Sequence, residues 1–185
     1  MEFQVDFARK GDGQMMVKER QAMYDTIVKY KPKRLLEIGT WKGGGSTYII
    51  SSAASKCGGI LDTIETDIEN YSYAVKLYCG ELVYLQPFVK FNHGQSQDII
   101  PRLLWERKAY DFLFLDGAED QDQTVKEYNM MNEHLALGSI LACHDWGTLK
   151  MARLKEIIGA DKSWQNIVSI TDTDTGFQMF QRRLF

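Results

Sequence analysis

Short apolar runs alternate with amphipathic stretches along this chain, and that alternation limits its fold more than any other feature. Residues 14–30 set Met16, Met23, Ile27 and Tyr30 on one helical face, and Pro32 stops the helix. Residues 33–38 then read as a buried strand that ends in glycine, with a helix from about Gly44 to Ser55. The next strand is expected over 59–65 and its helix over 67–79. A third pair falls at 86–92 and 95–105, and a fourth at 111–115 and 120–134. The fifth strand is expected over 139–143 and the fifth helix over 148–159. Two further strands, about 165–170 and 176–183, fold back on each other around Thr173, Asp174 and Gly176.

Strand followed by helix, five times over, predicts parallel strands covered by helices on both faces. The expected fold is therefore α/β and Rossmann-like: a doubly wound, mostly parallel seven-stranded sheet closed by a C-terminal antiparallel hairpin. No Pro/Gly/Ser-rich linker divides the 185 residues, so residues 1–185 read as one domain, with residues 1–32 a helical cover within it. Twenty-two basic against 25 acidic residues leave a net charge of −3, which disfavours nucleic acid as the main partner. Only Lys150, Arg153 and Lys155 hint at a basic patch. Cys57, Cys79 and Cys143 lack metal or disulfide spacing and read as free thiols. No apolar run approaches the ~18 residues of a membrane span, and a cytoplasmic protein with no membrane partner is expected.

In such sheets ligands bind beyond the carboxyl ends of the strands, where the strand order reverses. The loops to inspect begin at Gly39, Glu65, His93, Asp116 and His144. In the first, Glu37-Ile-Gly39-Thr-Trp-Lys-Gly43-Gly-Gly45-Ser46, glycines permit a sharp turn and close approach of a ligand to the main chain. The helix that follows offers unpaired N–H groups to an anion. Its spacing is not the G-x-G-x-x-G of a dinucleotide site. The preceding Glu37 suits a cationic amine, so an amino-acid moiety matches the loop better than a phosphate does; a plain glycine turn is the alternative. Glu65 closes the second strand, where an acidic side chain commonly accepts hydrogen bonds from ribose hydroxyls; a solvated carboxylate in the acidic run Glu65, Asp67, Glu69 is the alternative.

Together with Gly94-Gln-Ser-Gln-Asp98-Ile-Ile-Pro101 and Phe114-Leu-Asp116-Gly, these residues resemble class I S-adenosylmethionine-dependent methyltransferases. The subgroup they are most similar to is the metal-dependent, catechol O-methyltransferase-like one, over roughly residues 33–146. The resemblance implies S-adenosyl-L-methionine as cofactor. Glu37, Gly39, Thr40, Trp41, Gly43, Gly45 and Ser46 would then surround its methionine end, beside Asp116. Glu65 would hold the ribose, with Thr66 or Ile64 next to the adenine and Ser96 and Gln97 along its edge. The run Gly43-Gly-Gly45-Ser46 departs from the Gly-Tyr-Ser common in the family, so backbone N–H groups would take over the contact to the cofactor carboxylate.

By position the resemblance also places a divalent cation, Mg or Mn, on Asp116, His144 and Asp145. Histidine for a family aspartate softens that donor set. The alternative is that Asp116 caps the helix near Asp120 and Asp145 the helix near Thr148. The family's catalytic lysine position holds Glu119, which leaves Glu119 and His144 as candidate bases. His93 and His134 read as surface or packing residues. Trp41 and Trp146 at strand ends would wall an aromatic or sugar acceptor, or pack at the sheet rim. The lid material is small, so either the acceptor site is shallow or a second copy of the chain, a homodimer, completes it. Trp164, Phe177, Phe180 and Phe185 would supply that dimer face or simply core. The function expected is methylation of a small-molecule phenol, catechol or sugar hydroxyl, with metal assistance. Its rivals are a cofactor-binding pseudoenzyme, a methyltransferase for a macromolecule, and a nicotinamide-dependent oxidoreductase.

Overall fold

The computed structural model describes residues 4–9, 15–107 and 109–183. Seven strands form one sheet: β1 (Arg34–Ile38), β2 (Ile60–Glu65), β3 (Val89–His93), β4 (Tyr110–Leu115), β5 (Leu135–His144), β6 (Trp164–Ile170) and β7 (Phe177–Arg182). The helices are α1 (Val17–Tyr30), α2 (Ser46–Cys57), α3 (Ile68–Cys79), α4 (Ser96–Arg107), α5 (Gln121–Asn132) and α6 (Ala152–Ala160). The strand order is β3-β2-β1-β4-β5-β7-β6. The first five strands pair in parallel, and β7 enters antiparallel between β5 and β6. The order reverses between β1 and β4, so the crevice lies above Ile38 and Leu115, which are partners in register.

Strand residues alternate between two cores, as the pleat requires. Leu35, Phe112, Phe114, Ile140 and Ala142 face α1 and α2 and meet Met23, Ile27, Tyr48 and Ile49. Leu36, Ile38, Leu113, Leu115 and Leu141 face the other way, onto Ile100 and Leu103 of α4, Val125 and Tyr128 of α5 and Leu154 of α6. Trp164, Phe177 and Phe180 lie within these cores rather than on a free face. Phe185 lies outside the described residues.

Three expectations shift. The fifth strand begins at Leu135, before the predicted 139, although Gly138 interrupts its apolar pattern. A 3-10 turn, Val83–Phe88, takes the start of the predicted third strand because Pro87 cannot join a ladder. Met16 is half exposed, and Glu19 takes its place on the buried stripe with Met23 and Ile27.

Candidate functional site

The turn after β1 is shaped by a close approach of two backbones. Gly39 has φ +100°, and a Cβ there would lie 2.7 Å from Gly117 Cα. Beneath the turn Glu37 is fully buried. Its carboxylate accepts hydrogen bonds from Ser46 Oγ at 2.6 Å and from Thr47 and Thr63 Oγ1 at 2.7 Å each. Burial pushes Glu37 up to about 7, against the lowering effect of those hydroxyls. Three hydroxyls therefore fasten Glu37 to the start of α2 and to β2. No side chain caps that helix, so its first N–H groups remain for a ligand.

Glu65 at the end of β2 is held on both oxygens. Trp41 N donates to Oε2 at 2.7 Å and Asp67 N to Oε1 at 2.9 Å. Thr40 hydrogen-bonds Thr63 through the hydroxyls at 2.5 Å, and Trp41 is half exposed at φ 52°. Ser96 at the start of α4 donates to Glu127 Oε1 at 2.7 Å, and Gln123 Nε2 reaches both Ser96 Oγ (2.9 Å) and Gln97 Oε1 (3.3 Å). Burial raises the Glu127 carboxyl despite these donors. Gln123 and Glu127 were not expected from the sequence. Their spacing of one helical turn along α5 was the available signal.

The second cluster stands at the tips of β4 and β5. His144 Nδ1 lies 3.1 Å from Asp116 Oδ1 and 3.2 Å from Asp145 Oδ1. Its Nε2 lies 3.6 Å from Glu19 Oε2 and 3.3 Å from Thr175 Oγ1. Glu19, fully buried on α1, also accepts from Thr173 Oγ1 at 2.7 Å and from Met16 N at 2.8 Å. Burial pulls the imidazolium down, but the bonds to Asp116 and Glu19 outweigh it and push His144 up to about 10. Burial pushes Glu19 up, but the bonds from His144 and Thr173 leave it below its usual range. Lys150 completes the group, its Nζ 2.5 Å from Asp145 Oδ2 and 3.4 Å from Asp116 Oδ1. Burial lowers the Lys150 ammonium, and the Asp116 and Asp145 carboxylates more than offset that.

Asp116, His144 and Asp145 do converge, with one ligand atom from each lying within 4.8 Å of the others. Their chemistry does not fit a divalent cation in this arrangement. Lys150 sits on the two carboxylates that would ligate the ion. Both ring nitrogens of His144 face carboxylates, which suits an imidazolium with no lone pair to offer. Asp145 Oδ1 is buried without a hydrogen bond, but it lies against His144 Nδ1 and needs no ion to meet its charge. The helix-cap alternatives also fall away: Asp120 caps α5 with its own side chain. Asp145 bonds Thr148 only through its carbonyl.

Neither expected base is placed as one. Glu119 is exposed on the bend before α5, and no bond among the described residues joins it to the cluster. His144 is occupied on both nitrogens. Trp146 packs on Phe180, centroids 5.2 Å apart, at the rim of the sheet. His93 is exposed beside Tyr71, and His134 is half-buried. Lys150 and Glu19 are the charged members of this cluster that the sequence did not lead one to expect.

A sheet ordered 3-2-1-4-5-7-6, with a glycine turn after β1 and a carboxylate closing β2, defines the class I methyltransferase fold. Residues 36–146 match the family described as methyltransferase domain, and the chain belongs to it. No curated protein sequence matches the chain. Among solved structures it is similar to an O-methyltransferase from Bacillus cereus in complex with SAH, with 18% identity, TM-score 0.77, and 95% of this chain and 86% of that one covered. It is also similar to the O-methyltransferase TomG from Streptomyces achromogenes, involved in tomaymycin synthesis and solved with SAM, with 17% identity, TM-score 0.77 and coverages of 91% and 81%. A third is the SAH-bound methyltransferase PaMTH1 from Podospora anserina, with 15% identity, TM-score 0.71 and coverages of 96% and 84%. At these identities the likeness carries the fold.

Proposed function

We propose that this methyltransferase uses S-adenosylmethionine to methylate a hydroxyl of a small molecule, a phenol, catechol or sugar. The observation that carries the reading is the pairing of two sites at one switch point. A turn and carboxylate built for an amino-acid nucleoside stand next to a charged cup that opens at Asp116. The residues fit the cofactor. The uncapped N-terminus of α2 suits its carboxylate, and the close contact of Gly39 with Gly117 draws together the turns after β1 and β4, between which its methionine end would lie. Glu65, held from behind by two backbone N–H groups, presents its remaining lone pairs to ribose hydroxyls. Ser96 and Gln97, fixed by Gln123, would lie along the adenine edge. Glu37 acts from beneath by fastening the start of α2. When bound, S-adenosylmethionine supplies an electrophilic methyl group on a sulfonium.

Asp116 is the cluster member most open to solvent, with its side chain 23% exposed, and it takes the hydroxyl proton. His144 and Lys150 hold that carboxylate in place. Orientation of the acceptor supplies most of the acceleration, since displacement at a sulfonium needs little acid–base help. The test is transfer of isotopically labelled methyl from S-adenosylmethionine to a panel of phenols, catechols and sugars. Asp116→Asn is expected to slow transfer by about a hundredfold while leaving affinity for S-adenosylhomocysteine unchanged. Equal loss of both would contradict the division between cofactor and acceptor sides.

A further inference from the structure

Lys150 reaches the carboxylate cup from a turn built to aim it there. Asp145 takes φ 57°, and its carbonyl accepts from both Thr148 N and Thr148 Oγ1 at 2.9 Å, which closes the loop after β5. A 3-10 turn, Leu149–Met151, follows. Met151 anchors it at 1% exposure and Leu149 stays outside at 80%. Between them the Lys150 side chain turns inward, 14% exposed, onto Asp145 Oδ2 and Asp116 Oδ1. Two carboxylates at the tips of adjacent parallel strands thus share one ammonium.

We propose that Lys150 stands in for a divalent cation in this site: its ammonium neutralises Asp116 and Asp145 and donates its third N–H to the acceptor oxygen. The role toward the acceptor rests on the methyltransferase reading above; the charge balance of the cup does not. An ammonium has three donors, and two are directed at Asp145 and Asp116. It also has a consequence for substrate class. A divalent ion gathers six or more oxygens and can chelate two neighbouring hydroxyls of an acceptor. A lysine is a point charge that engages one oxygen at a time. The site therefore takes an acceptor through a single hydroxyl, and a vicinal diol gains nothing over a monohydroxyl analogue.

Mn²⁺ is the probe, read by the loss of its free paramagnetic signal on mixing with protein. Wild type is expected to leave millimolar Mn²⁺ free. Lys150→Ala, which removes the ammonium and keeps both carboxylates, is expected to take up the ion, and Lys150→Arg is not. Saturable Mn²⁺ uptake by wild type would overturn the proposal, and that arm needs no variant to fold. Failure of a folded Lys150→Ala protein to take up Mn²⁺ would overturn it too. In the transfer assay wild type should be insensitive to EDTA and use phenol as well as catechol; a strict need for the catechol would contradict single-oxygen binding. S-Adenosylhomocysteine titration runs separately: its failure would remove the methyltransferase reading while the Mn²⁺ result still reports on the cup.

Discussion

A side chain at position 39 would collide with the backbone of the loop after β4, because Gly39 and Gly117 approach each other where β1 and β4 end. Gly39→Ala therefore meets both a positive φ of +100° and a contact of 2.7 Å that only backbone movement relieves. A cost of about 2 kcal/mol follows, or a drop in Tm of roughly 4–8 °C for a chain of this length. Thermal unfolding followed by circular dichroism checks it; an unchanged Tm would mean that the two loops are not so tightly opposed. Gly39 and Glu65 were legible in the sequence because each sits where a strand run ends. Glu19 left a fainter trace. It lies four residues before Met23 and eight before Ile27, on the apolar stripe of α1, and a carboxylate there needs a buried partner. Lys150 left none. Its neighbours Arg153 and Lys155 made it look like surface charge, and only the turn after Asp145 brings it inward.

Among the elements, α1 does more than cover one face of the sheet. Its Glu19 is tied to His144 at the tip of β5 and to Thr173 in the β6–β7 loop, so three separate segments meet at one carboxylate. This linkage depends on pH with a definite sign. His144 is held up at about 10 in the folded chain, above the ordinary 6.5, so the folded state binds its proton more tightly than the unfolded one. The stabilisation is complete below about pH 6.5 and is lost as pH rises through about 10. Urea unfolding of wild type and His144→Gln from pH 6 to 10.5 should show a stability gap that narrows toward the alkaline end. A gap that stays constant would mean that the proton on His144 contributes nothing. Element positions were mostly legible because period-two and period-3.6 patterns alternated cleanly. The extension of β5 back to Leu135 was not, since Gly138 and the exposed Ala136 and Leu137 hide the ladder from any reading by periodicity.

For the molecule as a whole, the fold follows from alternation and the site from strand order. Once β1 and β4 are neighbours, the loops after Ile38, Glu65 and Leu115 must converge, whichever residues they carry. That convergence made the positions of Gly39, Glu65 and Asp116 at one end of the sheet readable in advance. The charged cluster was read less well, because the partner of His144 comes from α1 and the ammonium on Asp116 and Asp145 from a turn beyond β5, joined only in three dimensions. The likeness to solved methyltransferases extends over nearly the whole chain, but at 15–18% identity the residues of the cup must speak for themselves. The central claim is that the crevice above β1 and β4 is an S-adenosylmethionine site. Calorimetric titration of the purified protein with S-adenosylmethionine, and separately with NAD, tests it most directly. The structure predicts saturable binding of S-adenosylmethionine with one site per chain, abolished by Glu65→Ala, and no binding of NAD. No binding of S-adenosylmethionine, or saturable binding of NAD instead, would contradict the account.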